Sequence, residues 1–314
     1  MIKTRLKHYL AWFLNKPLIR SITPASWYLS IRYYEHLGKK LNLKNPVTFN
    51  EKLQWLKIYN HKPEYTIMVD KYAVRQYISK TIGKEYLIPL AGGPWDKFDD
   101  IEFEQLPDQF VLKCTHDSAS VVICKDKYNF DKEMARQKIN AALKYNFYWY
   151  GREWPYKNVK PKIIAEKFMV DDCGDPDLKD YKFMCFNGVV KCSFVCTERF
   201  SGNLRVTFFD RDWNTMPFSR TYPVSEKEIP KPVNYNQMLE LAEQLSQDIP
   251  FIRVDFYEIN GKIYFGELTF FPGCGFEAFH PESWDKKLGD WIILKHRLHN
   301  RRHDPPDLRL LRAH

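Results

Sequence analysis

Phe251-Ile252-Arg253-Val254-Asp255-Phe256-Tyr257, followed by Ile263-Tyr264-Phe265-Gly266-Glu267-Leu268-Thr269-Phe270, is the stretch whose reading decides the fold. Polar residues recur at every second position of each run, and Asn260-Gly261 between them is a strong turn signal, so a β-hairpin is expected. Alternation puts Arg253 and Asp255 on one face of the first strand, and Glu267 and Thr269 on one face of the second. Whether those pairs meet depends on the turn. A two-residue loop would pair Asp255 with Gly266 and send Glu267 to the opposite face. A three-residue loop, Ile259–Gly261 with Gly261 left-handed, pairs Arg253 with Glu267. It makes Asp255 and Glu267 diagonal neighbours, roughly 7–8 Å apart. A shared carboxylate site therefore requires the odd-length turn. Two carboxylates at that range can hold a hard divalent cation between them. An exposed face with an Arg253–Glu267 salt bridge uses the same residues, and the hairpin alone leaves both readings open.

Two further segments carry chemistry. Phe110-Val111-Leu112-Lys113-Cys114 sets one lysine in an apolar run. Its ammonium either snorkels at a sheet edge or enters a pocket where a phosphate offsets its burial. The next loop, Thr115–Ser120, with Ser118 inside it, supplies hydroxyls and backbone N–H groups able to cover a phosphate. Neither G-x-x-x-x-G-K-[ST] nor G-x-G-x-x-G occurs in the chain. Ile163-Ile164-Ala165-Glu166-Lys167-Phe168-Met169 is an apolar strand followed by an extended stretch. Its alternating N–H and C=O groups can meet a purine edge, and a plain strand reaching the surface explains it equally.

Around these lie helices and strands without strict β-α-β alternation, which makes the class α+β. Residues 1–60 read as helical, with Pro17 and Pro24 as punctuation and a short helix over Phe49–Ile58. Tyr65, Met68, Val69, Tyr72 and Ala73 share one helical face in a helix expected to run to Gly83. Leu87–Leu90 reads as a strand and Ala91-Gly92-Gly93-Pro94 as a loop. Val121–Cys124 is a strand, and Ala135, Ile139, Ala142 and Leu143 mark a helix. Tyr181–Phe186 and Val189–Cys196 flank Asn187-Gly188, a second hairpin signal. Arg205–Phe209 is a strand; Met238, Leu241, Ala242 and Leu245 mark a helix.

The 314 residues are 44% hydrophobic and 28% charged, the balance of a globular protein rather than a disordered one. The net charge of +9 favours an acidic partner. Seven cysteines, at 114, 124, 173, 185, 192, 196 and 274, include no C-x-x-C pair, which fits reduced thiols in the cytoplasm and argues against structural zinc. The apolar stretch Tyr9–Leu14 falls far short of the roughly 20 residues of a membrane span. Flanked by Lys3, Arg5, Lys7, Lys16 and Arg20, it reads as a basic amphipathic helix. Such a helix packs on the protein's own body or docks peripherally on the inner face of a membrane. The tail from Lys295 is basic and interrupted by Pro305-Pro306.

In this order the pieces resemble the ATP-grasp superfamily. Arg253-Val254-Asp255-Phe256, Glu267-Leu268-Thr269 and Pro272-Gly273 resemble its R-x-D…E-x-N…PG magnesium hairpin. Asp70-Lys71 with Phe110–Lys113 resembles its opening, and Glu166–Met169 its adenine hinge. More narrowly, Thr48–Leu56, Leu106–Lys113 and Asp180–Gly188 are similar to the TupA-like (teichuronopeptide-biosynthesis-like) ATP-grasp family, over about residues 45–295.

The resemblance implies an ATP-grasp fold with nucleotide held between two α+β subdomains. The N-terminal helical region would be 1–60, the pre-ATP-grasp segment and first subdomain 61–165, the second subdomain 166–295, and a basic tail 296–314. It implies that Lys113 holds the α/β phosphates with Ser118 nearby, that Glu166 meets the adenine amino group, and that the backbone of Lys167 and Met169 reads its edge. Asp180 would contact ribose and Lys182 a phosphate. Asp255 and Glu267 would bind Mg2+ with Thr269 beside them, and Arg253 would stabilise the transferring phosphoryl group. Two positions depart from the pattern: Thr269 replaces the usual Asn, and the 115–120 loop lacks the usual glycines.

The implied activity is an ATP-dependent carboxylate–amine ligase working through an acyl phosphate. Its acid would be a uronic acid of a capsular or cell-wall polysaccharide or its precursor, and its partners ATP and an amine, not nucleic acid. Substituting Asp255 or Glu267 is expected to abolish turnover with the fold intact. The competing class is a glycosyltransferase, for which Asp210-Arg211-Asp212 would be the D-x-D pair, although a turn accounts for it more simply.

Overall fold

The computed structural model describes residues 14, 16–118, 120–172, 178–198 and 202–294. Residues 1–13 and 15, which hold most of the basic N-terminal segment, Cys173 and the tail from residue 295 lie outside the described residues. In chain order the helices are α1 (Pro17–Ile22), α2 (Ala25–Leu37), α3 (Phe49–Tyr59), α4 (Pro63–Val69), α5 (Val74–Thr81), α6 (Lys132–Leu143), α7 (Tyr148–Gly151), α8 (Tyr235–Leu245) and α9 (Ser283–Asp290). The strands are β1 (Leu90–Trp95), β2 (Phe110–Cys114), β3 (Val122–Cys124), β4 (Ile163–Lys167), β5 (Asp180–Phe186), β6 (Val189–Thr197), β7 (Arg205–Phe209), β8 (Ser219–Arg220), β9 (Phe251–Ile259), β10 (Lys262–Thr269) and β11 (Phe279–His280). No described helix is long and apolar enough to cross a membrane.

Helix α3 starts with a capping box. The Thr48 hydroxyl accepts the Glu51 N–H at 3.2 Å, and the Glu51 carboxylate accepts the Thr48 N–H at 3.1 Å. The single helix expected from Tyr65 to Gly83 is instead two. Asp70 Oδ1 accepts the N–H groups of Tyr72 (2.8 Å) and Ala73 (3.1 Å), a local turn that competes with helix continuation and leaves Tyr72 exposed.

The first sheet has the order β1-β4-β2-β3, all antiparallel. Its face carries Phe110, Leu112, Ile163 and Ala165, on which α6 packs Ala135 and Ile139. The expected loop Ala91–Pro94 belongs to β1, while Leu87 makes only a bridge to Phe265. An edge strand with two register shifts tolerates Pro94 and the glycines. Gly93 is required there: its φ is 94°, and a Cβ would sit 2.8 Å from the Ile163 carbonyl oxygen. Strand β4 runs to Lys167.

The second sheet, β10-β9-β5-β6-β7, holds the larger core, with α8 burying Met238, Leu241, Ala242 and Leu245. Both hairpin turns open as Asn-Gly predicts. Asn187 and Gly188 have φ of 50° and 84°, and Asn260 and Gly261 have 51° and 71°, the two positive values of a type I′ turn. All seven residues of the inner strand β5 are buried, Asp180 and Lys182 included. Two charged residues inside such a strand need partners: they pair with each other, and Lys182 also pairs with Asp255 on β9.

Candidate active site

A cavity of about 270 Å³ takes its lining from both sheets. Lys113, Ser118 and Glu166 come from the first sheet and the loop after β2, and Lys71 and Arg75 from the α4–α5 connection and α5. Asp180, Lys182, Asp255, Gly266 and Glu267 come from the second.

The hairpin corrects the register expected from sequence. Its loop is the two-residue Asn260-Gly261, with Lys262 opposite Ile259 and Phe265 opposite Phe256. A bulge at Gly266 then shifts the ladder by one residue, so that Glu267 lies directly opposite Asp255 and Thr269 opposite Arg253. The carboxylates share a face because of the bulge, not an odd-length turn. Glycine suits it, because a Cβ at 266 would lie 3.1 Å from the Asp255 carbonyl oxygen and 3.2 Å from the Tyr257 ring.

Both readings of the hairpin coexist in this geometry. Arg253 grips Asp255 bidentately, with Nε and Nη2 each donating at 2.7 Å, and Nη2 also donates to Glu267 Oε1 at 2.5 Å. Lys182 Nζ lies 2.5 Å from Asp255 Oδ2 and 2.8 Å from Asp180 Oδ2. Burial opposes the charge on Asp255, which is 2% exposed, yet Arg253 and Lys182 together hold its carboxyl below the ordinary value. Burial likewise opposes the charge on Lys182 and Arg253, and their acidic neighbours raise both above their ordinary values. Glu267 differs: its side chain is 42% exposed. Thr269 lies outside the cavity lining, and its hydroxyl donates to Glu267 Oε1 at 3.2 Å.

On the opposite wall, Lys113 is not at a sheet edge. It sits on β2, between β4 and β3, and its ammonium lies 2.5 Å from Glu166 Oε2. Arg75 Nη1 lies 3.9 Å from the other Glu166 oxygen. The strand carrying Glu166 is also interior, between β1 and β2, rather than emerging at the surface. The exposed Lys167 already donates its N–H to the Pro89 carbonyl at 2.9 Å. Neither Lys167 nor the half-buried Met169 lines the cavity.

The loop after β2 offers fewer hydroxyls than expected. The Ser120 hydroxyl donates to Asp117 at 2.6 Å and accepts the Cys114 N–H, while that of Thr115 accepts the Lys162 N–H. Ser118 is the exposed one, and it lines the cavity. Lys71 and Arg75 were given no role from sequence. Lys71 Nζ donates to the Cys114 carbonyl at 3.2 Å and to the Asp117 carbonyl, and burial pushes its pKa down. The signal for it was Asp70, whose cap ends α4 and turns the next residue toward β2.

Asp210 does not line the cavity. Its carboxylate accepts the N–H groups of Asp212 (2.9 Å) and Asn214 (2.8 Å), so Asp210-Arg211-Asp212 is a turn. Among the described residues no group of three or more His, Cys, Asp or Glu side chains could hold a metal. Asp255 and Glu267 offer two hard oxygen donors. That set fits a magnesium ion that takes its other ligands from phosphate and water, and it does not fit a cage made of protein alone.

The family described as TupA-like ATPgrasp matches residues 51–293. No curated protein matches the chain. Among solved structures, D-alanine–D-alanine ligase from Helicobacter pylori is similar at 15% identity and TM-score 0.41, covering 78% of this chain and 69% of that one. The Bacillus anthracis D-alanine–D-alanine ligase complexed with ATP follows at 14% and 0.39, with 72% and 64% covered. N5-carboxyaminoimidazole synthetase from Staphylococcus aureus gives 12% and 0.36, with 65% and 44% covered. The chain thus spans less than two thirds of the latter two. TM-scores this low carry no argument of their own, and the assignment rests on the family match.

Proposed function

The chain belongs to the TupA-like ATP-grasp family, and from that premise we propose that it is an ATP-dependent carboxylate–amine ligase. The observation that carries the proposal is the bulge-set pairing of Asp255 with Glu267 on one wall of a cavity whose other wall holds Lys113 and Glu166.

In this reading Lys113, with Lys71 and Ser118 beside it, binds the α/β phosphates. Glu166 turns from Lys113 toward the adenine amino group, with the hinge backbone at Lys167 and Met169 along the base. Asp180 contacts the ribose, and Lys182 moves between Asp255 and phosphate. Asp255 and Glu267 would hold magnesium, which would offset charge on the phosphates, and the Thr269 hydroxyl orients Glu267. Arg253, fixed by its bidentate grip on Asp255, stabilises charge as the γ-phosphoryl group moves.

The chemistry balances as two transfers. A carboxylate oxygen of the acid attacks the γ-phosphorus, the bond to the bridging oxygen breaks, and ADP leaves an acyl phosphate. The amine nitrogen then attacks the acyl carbon, phosphate departs, and the nitrogen loses a proton as the amide forms. Family likeness and the net charge of +9 support an acidic substrate, a uronic acid of a capsular or cell-wall polysaccharide or its precursor. The six described cysteines are free thiols, in keeping with work in the cytoplasm. We assign an N-terminal helical region at 1–60, a pre-ATP-grasp segment and first subdomain at 61–165, a second subdomain at 166–295 and a basic tail at 296–314. The turn at Asp210–Asp212 gives the glycosyltransferase reading no support.

The test is to measure ADP release with uronic acids and amines supplied singly and together. Release that requires both, with one amide formed per ADP, is expected. Release of a nucleoside diphosphate from a sugar nucleotide without ATP would overturn the proposal.

A further inference from the structure

The row of residues that crosses the second sheet through the site does not end at Lys182. Glu267 lies opposite Asp255, Asp255 opposite Lys182, Lys182 opposite Phe194, and Phe194 opposite Phe208. Directly paired residues share a face, so the face that carries the two carboxylates continues onto two aromatic rings. Over those rings sits Arg220 of β8, its guanidinium carbon 4.8 Å from the Phe194 ring centre and 5.9 Å from that of Phe208. Arg253 reaches over the same Phe194 ring from β9, at 5.8 Å. The site face thus holds a second guanidinium, placed beyond the cavity lining.

Arg220 is 7% exposed, and its donors are not used up. Its Nε and Nη1 are both buried without a hydrogen-bond partner among the described residues. Glu277 Oε2 lies 3.1 Å from Nε, near enough for an ion pair but misaligned for a hydrogen bond, and it too lacks a hydrogen-bond partner. A buried ion pair stabilises a fold only when its geometry is close to ideal and its remaining donors are satisfied. Arg253 meets that condition on Asp255 with two bonds of 2.7 Å; Arg220 does not meet it on Glu277. Burial lowers the Arg220 pKa, Glu277 opposes this, and Arg253 is near enough to lower it further. Both members of the pair are held through their backbones. Arg220 is paired with Phe279 of β11, and the Glu277 carbonyl accepts the Asn50 side-chain amide at 2.9 Å. A fixed, buried guanidinium with unused donors beside a like charge is suited to receive an anion.

We propose that Arg220 binds the carboxylate of the acid substrate, Nη1 donating to a carboxylate oxygen, and so sets that group beside Arg253. The inference rests on the ligase reading and adds to it the residue that recognises the acid. In that reading the phosphates of the nucleotide face Lys71, Lys113 and Lys182 in the cavity lining, which does not include Arg220. The anion left for Arg220 is the acid that attacks. Glu277 holds the guanidinium in place.

The test is calorimetric titration of the full chain, in the presence of MgADP, with glucuronate and with glucose as the control lacking a carboxylate. The wild type is expected to bind glucuronate and not glucose. Glu277→Gln removes the ion pair but keeps the guanidinium, and should bind glucuronate at least as tightly as the wild type. Arg220→Met/Glu277→Gln removes both charges and strands neither, and should bind it about tenfold or more weakly than Glu277→Gln. Both variants should still be stabilised by MgATP. Equal glucuronate affinity in the two variants, a loss in Glu277→Gln as large as in the double variant, or no preference of the wild type for glucuronate over glucose would each overturn the proposal. Glucuronate binding that depends on Arg220, without ADP release in the presence of any amine, would remove the ligase reading and leave the carboxylate site standing.

Discussion

At the scale of single residues, the two carboxylates of the site are not equivalent, and the structure changes what their substitution should do. The sequence alone led to the expectation that both could be replaced with the fold intact. Asp255, however, is the common counter-ion of Arg253 and Lys182, and all three are buried. Asp255→Asn therefore leaves two buried cations with only Glu267 and Asp180 as counter-ions and should destabilise the protein by about 3 kcal/mol in a denaturant titration. Glu267→Gln touches a half-exposed side chain, so it should leave the melting temperature nearly unchanged while lowering turnover by about 10²–10³-fold. If the two variants proved equally stable, the buried-pair account would be wrong. The same contrast sets an acid limit. The folded carboxyl of Asp255 titrates below its ordinary value of 3.8, so its stabilising contribution is complete above that value. It disappears as pH falls through the folded value. Acid unfolding of the wild type should show this loss, and Asp255→Asn should not.

At the scale of elements, both Asn-Gly hairpins, the short helix at Phe49 and the strands at Phe110 and Ile163 follow from local pattern, and each was legible in the sequence. What escaped reading is long-range. The bulge at Gly266 is set by the close approach of the Asp255 carbonyl and the Tyr257 ring, which no local pattern announces. The break at Asp70 depends on a side chain choosing the backbone of Tyr72 and Ala73 over water. β1 runs through two glycines and a proline because β4 supplies a neighbour. Gly266→Val puts branched carbon into the 3.1–3.2 Å contacts of the bulge and should cost about 1–3 kcal/mol. It should also weaken MgATP binding by disturbing the pairing of Glu267 with Asp255, whereas Gly261→Asn in the open turn should spare it. Equal nucleotide affinity in the two variants would separate the bulge from the site.

At the scale of the whole molecule, two sheets contribute to one cavity, and the charges pair within each sheet: Lys113 with Glu166 in the first, and Arg253 and Lys182 with Asp255, Glu267 and Asp180 in the second. Sequence reading singled out most of the charged lining, because Lys113, Glu166, Asp180, Lys182, Asp255 and Glu267 all stand on strands that are plain in the sequence. It gave no role to Lys71 and Arg75, which reach the cavity only through the fold. A site whose acids are paired with its own cations, and which offers only two carboxylates to a metal, should take magnesium and nucleotide together. The decisive measurement is the melting temperature of the full chain with MgCl2 alone, ATP alone and both. The account predicts no shift with MgCl2, and with both at a hundredfold excess over Kd a stabilisation of about 2.7 kcal/mol. Glu267→Gln should lose most of that gain. A shift with MgCl2 alone, or no shift with MgATP, would contradict it.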